Sequence, residues 1–181
     1  MFKSEFKNGC MLVIGGAKSG KSSFALEACN SMDRSYIFLA TAQAHDKEME
    51  ERIRIHRADR NSRWITVEEP VNVTKAIKEH DNRNSVILLD CLTLWLSNLF
   101  MRYGDDQEKI NFSVEELAVQ LSCTRGAVVV VSNEVGCGIV PENSLARKYR
   151  DTAGFANQRI AAVSVKVVTV IAGLPVVLKD I

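Results

Sequence analysis

The chain alternates short, unbroken apolar runs with longer segments in which apolar residues recur every three or four positions. The runs Cys10–Ile14, Tyr36–Ala40, Val86–Leu89 and Ala127–Val131 leave no polar face, which predicts strands buried on both sides. Trp64–Glu68 reads as a shorter strand stopped by Pro70. Between them the periodicity predicts helices over Ser23–Asn30, about Asp46–Asp59, Val71–Glu79, Leu92–Met101 and Ser113–Ser122. A longer helix is expected from Glu142 or Asn143 to Ala162, weakened at Gly154. Gly104–Lys109 reads as a polar loop, and Asn133–Pro141, with Gly136, Gly138 and Pro141, as a shaped loop rather than a regular element. Near the C-terminus, Val165–Ile171 and Val176–Leu178 flank Ala172–Pro175 as a strand, a tight turn and an edge strand.

Strands alternating with helices predict an α/β fold in three layers, with a mostly parallel sheet covered on both faces. The last connection is too short for a crossover, so the final edge strand is expected to be antiparallel. A length of 181 residues suits one domain, 1–181, with a sizeable core.

Composition narrows the class of partner. A net charge of +1 with no basic block argues against nucleic acid. No run approaches the roughly 20 apolar residues of a membrane span. The segment Met1–Lys7 lacks the apolar core of a signal peptide, so a cytoplasmic location is expected. The five cysteines are scattered, never closer than fourteen residues, so no Cys-x-x-Cys pair exists. Cys10, Cys91 and Cys123 read as small core residues.

The first strand ends in Gly15-Gly16-Ala17-Lys18-Ser19-Gly20-Lys21-Ser22, which fits G-x-x-x-x-G-K-[ST] between a strand and a helix. Glycines there allow a tight bend that converges backbone N–H groups on an anion, and the helix N-terminus adds its positive end. Lys21 is placed to reach the β and γ phosphates of a nucleoside triphosphate, and Ser22 to ligate a bridging Mg²⁺. Asp90, at the end of its strand, is either a second Mg²⁺ holder or the N-cap of the helix that follows. Thr41 and Gln43, just past the second strand, lie where open α/β sheets bind ligands. These features predict a RecA-like P-loop NTPase fold.

In the Asp46–Asp59 segment Met49, Ile53 and His56 share one helical face, with Glu48 and Glu50 in the first turn. Periodicity alone makes His56 a partly buried helical histidine.

The chain closely resembles the bifunctional adenosylcobinamide kinases and adenosylcobinamide-phosphate guanylyltransferases of cobalamin biosynthesis. The motifs that carry the likeness span nearly the whole chain. They are Gly15–Ser22, Ala40-Thr41-Ala42, Asp46-Lys47-Glu48-Met49, Arg52-Ile53-Arg54-Ile55-His56-Arg57, Trp64, Glu68 and Leu88-Leu89-Asp90-Cys91, then Asn133–Asn143, Arg147, Tyr149-Arg150-Asp151, Gly154 and Asn157-Gln158. The Asn-Glu-Val-Gly-x-Gly-Ile-Val-Pro and Arg-Ile-x-x-His-Arg runs are far more specific than the loop. Lys18 departs from the arginine more usual in the family; the charge is kept and the planar fork lost, which weakens bidentate phosphate contact without changing the reaction.

The resemblance implies two steps: ATP or GTP phosphorylates the aminopropanol hydroxyl of adenosylcobinamide, and GTP then donates GMP to that phosphate, releasing pyrophosphate. It implies a GMP-histidine intermediate on His56, with Lys21 the second catalytic residue. A neutral imidazole can attack phosphorus, and Arg52 and Arg57 disfavour the imidazolium. Carried over residue by residue, the GTP site comprises Gly15, Gly16, Ala17, Lys18, Ser19, Gly20, Lys21, Ser22, Ala40, Thr41, Ala42, Arg57, Ala58, Asp59, Arg60, Glu68 and Asp90, with Mg²⁺ on Ser22 and Asp90. Glu68 suits the guanine N1–H and N2 amine, or is a charge at a strand end. The Asn133–Pro141 loop, with Arg147 or Arg150, faces the corrinoid, completes a neighbouring subunit's site, or is turn chemistry beside a solvated helix face. The family also implies a homo-oligomer, a trimer.

Two rivals remain at the level of sequence. A regulatory GTPase would need an Asn/Thr-Lys-x-Asp guanine motif and an Asp-x-x-Gly switch after Asp90, and neither is present. A small-molecule P-loop kinase without the transferase step would leave His56 incidental.

Overall fold

A computed structural model describes residues 6–44, 47, 50, 51, 54 and 62–181. Its seven-stranded sheet has the order β3-β2-β4-β5-β1-β6-β7. The strands are β1 (Gly9–Gly15), β2 (Ser35–Ala40), β3 (Trp64–Glu68), β4 (Ser85–Asp90), β5 (Ala127–Asn133), β6 (Lys166–Ile171) and β7 (Leu174–Asp180). All neighbouring pairs are parallel except β6 with β7. The expected three-layer α/β architecture with an antiparallel edge is therefore present.

Strand alternation divides the core in two, because successive side chains point to opposite faces. On one face Met11, Val13, Phe38, Val86, Leu88, Val129 and Val131 pack under α1 (Lys21–Asn30) with Ala25, Ala28 and Cys29. On the other, Leu12, Ile37, Leu39, Ile87, Leu89, Val128 and Val130 meet four helices: α2 (Val73–His80), α3 (Leu92–Tyr103), α4 (Gln107–Ser122) and α5 (Ser144–Val163). Trp95, Leu96 and Leu99 of α3 and Ile110, Val114, Leu117 and Leu121 of α4 fill that second core.

Three expectations are corrected. The segment predicted as a polar loop up to Lys109 already belongs to α4, which starts at Gln107 rather than Ser113. Asp106 caps it by accepting from the Lys109 N–H at 3.2 Å, and buried Ile110 extends the apolar face by a turn. Strand β7 runs from Leu174 to Asp180, longer than Val176–Leu178, because the turn is only Ala172-Gly173, both with positive φ, 52° and 81°. That geometry matches the right-handed twist of a two-residue hairpin, and Pro175 is tolerated on an edge strand. Cys123 is exposed, not a core residue, while Cys29 is buried. Elsewhere the helix of about Asp46–Asp59 is helical at residues 47, 50, 51 and 54, the others lying outside the described residues.

Candidate active site

The C-terminal ends of the parallel strands form one row. In register, Glu68 of β3 stands opposite Ala40 of β2, Ala40 opposite Asp90 of β4, Asp90 opposite Val131 of β5, and Asn133 of β5 opposite Gly15 of β1. Ala40 packs in the α1-side core, and Asp90, in register with it, points to that face as well. Glu68 and the phosphate loop thus occupy two ends of the same edge. Four strand spacings of about 4.8 Å separate them.

The loop itself is a tight arch on that edge. Gly16, Ala17 and Lys18 are exposed, Lys18 takes φ 55° and Gly20 φ 95°. The Ser19 N–H donates to the Gly16 carbonyl at 3.2 Å, and the Lys21 Nζ donates to the same carbonyl at 3.1 Å, drawing the ammonium across the mouth of the arch. Lys21 is 8% exposed. Burial pulls its pKa down, while the nearby Cys91 and Asp90 push the other way. That opposing influence brings the Asp90 carboxylate within electrostatic reach of the loop. The Ser19 Oγ is buried without a hydrogen-bond partner among the described residues. Gly15 cannot carry a side chain: a Cβ there would meet the Ser19 Oγ at 2.4 Å and the Val170 carbonyl at 2.7 Å.

The ends of β2 and β4 are tied together. The Thr41 Oγ1 donates to the Cys91 carbonyl and accepts from the Cys91 N–H, both at 2.9 Å, and Thr41 is fully buried. Its hydroxyl therefore joins the two strand ends; Ala42 is half-buried and Gln43 exposed beside it. Asp90 is a strand terminus: Cys91, not Asp90, occupies the N-cap position of α3, so the capping alternative does not hold. Burial raises the Cys91 thiol pKa to about 11, with Asp90 adding to the rise. Above it, the Asn133 Nδ2 donates to the Thr93 Oγ1 at 2.7 Å and the Tyr149 hydroxyl to the Thr93 carbonyl at 2.8 Å. The sequence singled out Asn133 and Tyr149 but not Thr93, whose place two residues beyond Cys91 was the only signal.

For Mg²⁺ the donor set fits: a hydroxyl, Ser22, half-buried in the first turn of α1, and a carboxylate, Asp90, directed to the face α1 covers. Both are oxygen donors suited to a hard cation. Among the described residues no cluster of three or more His, Cys, Asp or Glu side chains could hold a metal. His56, Arg57, Ala58, Asp59 and Arg60 lie outside the described residues.

The family model described as cobinamide kinase / cobinamide phosphate guanyltransferase matches residues 11–178. The bifunctional adenosylcobalamin biosynthesis protein CobP of Pseudomonas aeruginosa is 40% identical over 168 residues, covering 93% of this chain and 96% of that protein. The bifunctional adenosylcobalamin biosynthesis protein CobU of Escherichia coli K12 is 39% identical over 180 residues, covering 93% and 99%. Among solved structures, a Pyrococcus horikoshii protein superposes with a TM-score of 0.59 at 10% identity, covering 97% of this chain and 89% of its own. A KaiC-like protein of the same organism gives 0.50 at 11%, covering 90% and 71%. At such identities these two speak to the fold alone.

Proposed function

The chain belongs to the cobinamide kinase / cobinamide phosphate guanyltransferase family, and from that premise we propose how one site serves both of the family's reactions. The protein is an enzyme of cobalamin biosynthesis, phosphorylating cobinamide and guanylylating the product. Gly15–Ser22 holds the triphosphate of either nucleotide, with Lys21 neutralising charge on the β and γ phosphates. The observation that carries this reading is the row of strand ends in which the phosphate loop, Asp90, Ala40 and Glu68 share one edge. It offers a phosphate cradle at one end and a carboxylate at the other.

In the kinase step the substrate hydroxyl oxygen attacks the γ-phosphorus of ATP or GTP. A new P–O bond forms, the bond to the β-phosphate oxygen breaks, and the hydroxyl proton leaves to solvent. In the transfer step a nitrogen of His56 attacks the α-phosphorus of GTP, forming a P–N bond as pyrophosphate departs. An oxygen of adenosylcobinamide phosphate then attacks the same phosphorus, and breaking the P–N bond restores the imidazole. Ser22 and Asp90 hold Mg²⁺, which when bound offsets negative charge on the phosphate oxygens. Glu68 accepts from the guanine N1–H and N2 amine, favouring GTP over ATP for transfer. Arg57 to Arg60, following the histidine, line the nucleotide.

The same proposal takes residues 1–181 as a single nucleotide-binding domain, acting in the cytoplasm. No helix among the described residues is long and apolar enough to cross a membrane. It also includes a homo-oligomer, a trimer, for which exposed Ile139, Val140 and Leu145 offer apolar surface.

Incubation with GTP labelled in the α- or the γ-phosphate, followed by denaturation, tests the histidine. The expected adduct carries α-label, survives base, is lost in acid and is absent in His56→Ala. Equal α-labelling of that variant would sink the assignment, and γ-label passing to cobinamide without any protein adduct would leave a simple kinase.

A further inference from the structure

We propose that Asn98, assisted by Trp95, is the positioning residue for the guanine-recognition end of the site, a role resting on the reading that Glu68 contacts the base. Asn98 lies in the apolar interior of α3 and is 7% exposed. A carboxamide there is a poor helix former and costs desolvation unless it is bonded. Its Nδ2 donates both hydrogens, one to the Thr41 carbonyl at 2.8 Å and one to the Pro70 carbonyl at 2.9 Å. Thr41 is the first residue beyond β2 and Pro70 the second beyond β3, so one nitrogen clamps the two chain exits that follow the Ala40–Glu68 pair.

The clamp is reinforced from three sides. One helical turn before Asn98, the Trp95 Nε1 donates to the Val71 carbonyl at 2.8 Å. The Glu69 N–H donates to the Ala40 carbonyl at 3.0 Å, and the Glu69 carboxylate accepts from the Val71 and Asn72 N–H groups at 2.9 and 2.7 Å. Of the two adjacent carboxylates, Glu69 is thus turned into its own loop, while Glu68 stands exposed at the strand tip. Asn98 is buried at the strand ends and acts through them. It fixes the separation between the Ala40–Ala42 segment and Glu68, and without it two carbonyls at the strand ends lose their donors.

The test compares affinity for GTP, for ITP, which lacks the N2 amine, and for inorganic tripolyphosphate, measured by calorimetry on the whole chain. The variants are Asn98→Leu, which keeps volume and removes the donors, Trp95→Phe and Glu68→Gln. Asn98→Leu should weaken GTP about tenfold, equivalent to about 1.4 kcal/mol, and lower the GTP-to-ITP preference. Tripolyphosphate affinity should stay within about twofold of the parent protein's. Trp95→Phe should move the preference in the same direction by less, and it decides the matter if Asn98→Leu does not fold. A preference unchanged in the folded variant while Glu68→Gln abolishes it overturns the role of Asn98. Equal loss for tripolyphosphate and GTP overturns it too, as general damage. A preference unchanged in Glu68→Gln instead overturns the base reading itself.

Discussion

The Gly173 N–H donates to the Ser19 carbonyl at 2.8 Å, so the turn of the C-terminal hairpin braces the phosphate loop from behind. The two segments lie more than 150 residues apart in sequence, and their contact is close enough that a Cβ on Gly20 would come within 3.2 Å of the Gly173 Cα. The loop's shape is therefore held partly by β6 and β7, outside the motif that names it.

That brace makes Gly20 and Gly16 unequal. Gly20→Ala must adopt φ 95°, which costs an L-residue about 1–2 kcal/mol, and must also displace the hairpin turn. It should lower the unfolding midpoint and weaken GTP binding at least about tenfold. Gly16→Ala, whose Cβ meets nothing within 4 Å, should leave stability within about 0.5 kcal/mol. Urea unfolding of both variants separates the effects.

Lys21→Met should abolish both reactions without lowering the stability of the nucleotide-free protein at neutral pH. Burial depresses the Lys21 pKa below 10.5 despite Cys91 and Asp90. In the interval between the folded value and 10.5 the unfolded chain binds more protons, so this group makes stability rise with pH there. Thermal melts across that interval should show a shallower rise in Lys21→Met than in the parent protein, and a steeper one would contradict the burial argument.

Thr41→Val should destabilise the fold by about 1–3 kcal/mol, because the buried Cys91 N–H loses its partner, while the Cys91 carbonyl keeps only the Trp95 N–H. Thr41→Ser keeps the hydroxyl and should recover most of that loss. Denaturant midpoints for the pair provide the measurement; equal destabilisation would show that keeping the hydroxyl recovers nothing and would overturn the hydrogen-bond account.

Acid stability should depend on Glu69. Burial acts to raise its pKa, but the N–H groups of Asn72 and Val71 and the Asn72 side chain outweigh burial and lower it below 4.5. Its contribution is present above that value and fades as pH falls through the lower folded one. Glu69→Gln should therefore flatten the fall of the melting temperature on the acid side of 4.5.

The strands and the phosphate loop were legible because their signals are local. Unbroken β-branched runs such as Ala127–Val131 can only be buried, and the spacing of Gly15, Gly20 and Lys21 needs no long-range partner to be read. The start of α4 was less legible, since Ile110 counts as part of an apolar face only once α4 is packed on the second core. Thr41 shows the opposite limit: its place after β2 can be read locally, but the partner of its hydroxyl, Cys91, lies 50 residues away.

By itself the sequence determined the class of fold, the phosphate loop and the family, because periodicity and motif spacing are properties of neighbouring residues. Tertiary structure decided which strand ends stand in register, so that Glu68, Ala40, Asp90 and Gly15 meet on one edge. It also decided that Asn98 holds two of those ends and Gly173 braces the loop. The physical reason is that buried donors and carbonyls must find partners wherever packing places them. Those partners are fixed by the sheet order, which no local pattern in the chain encodes.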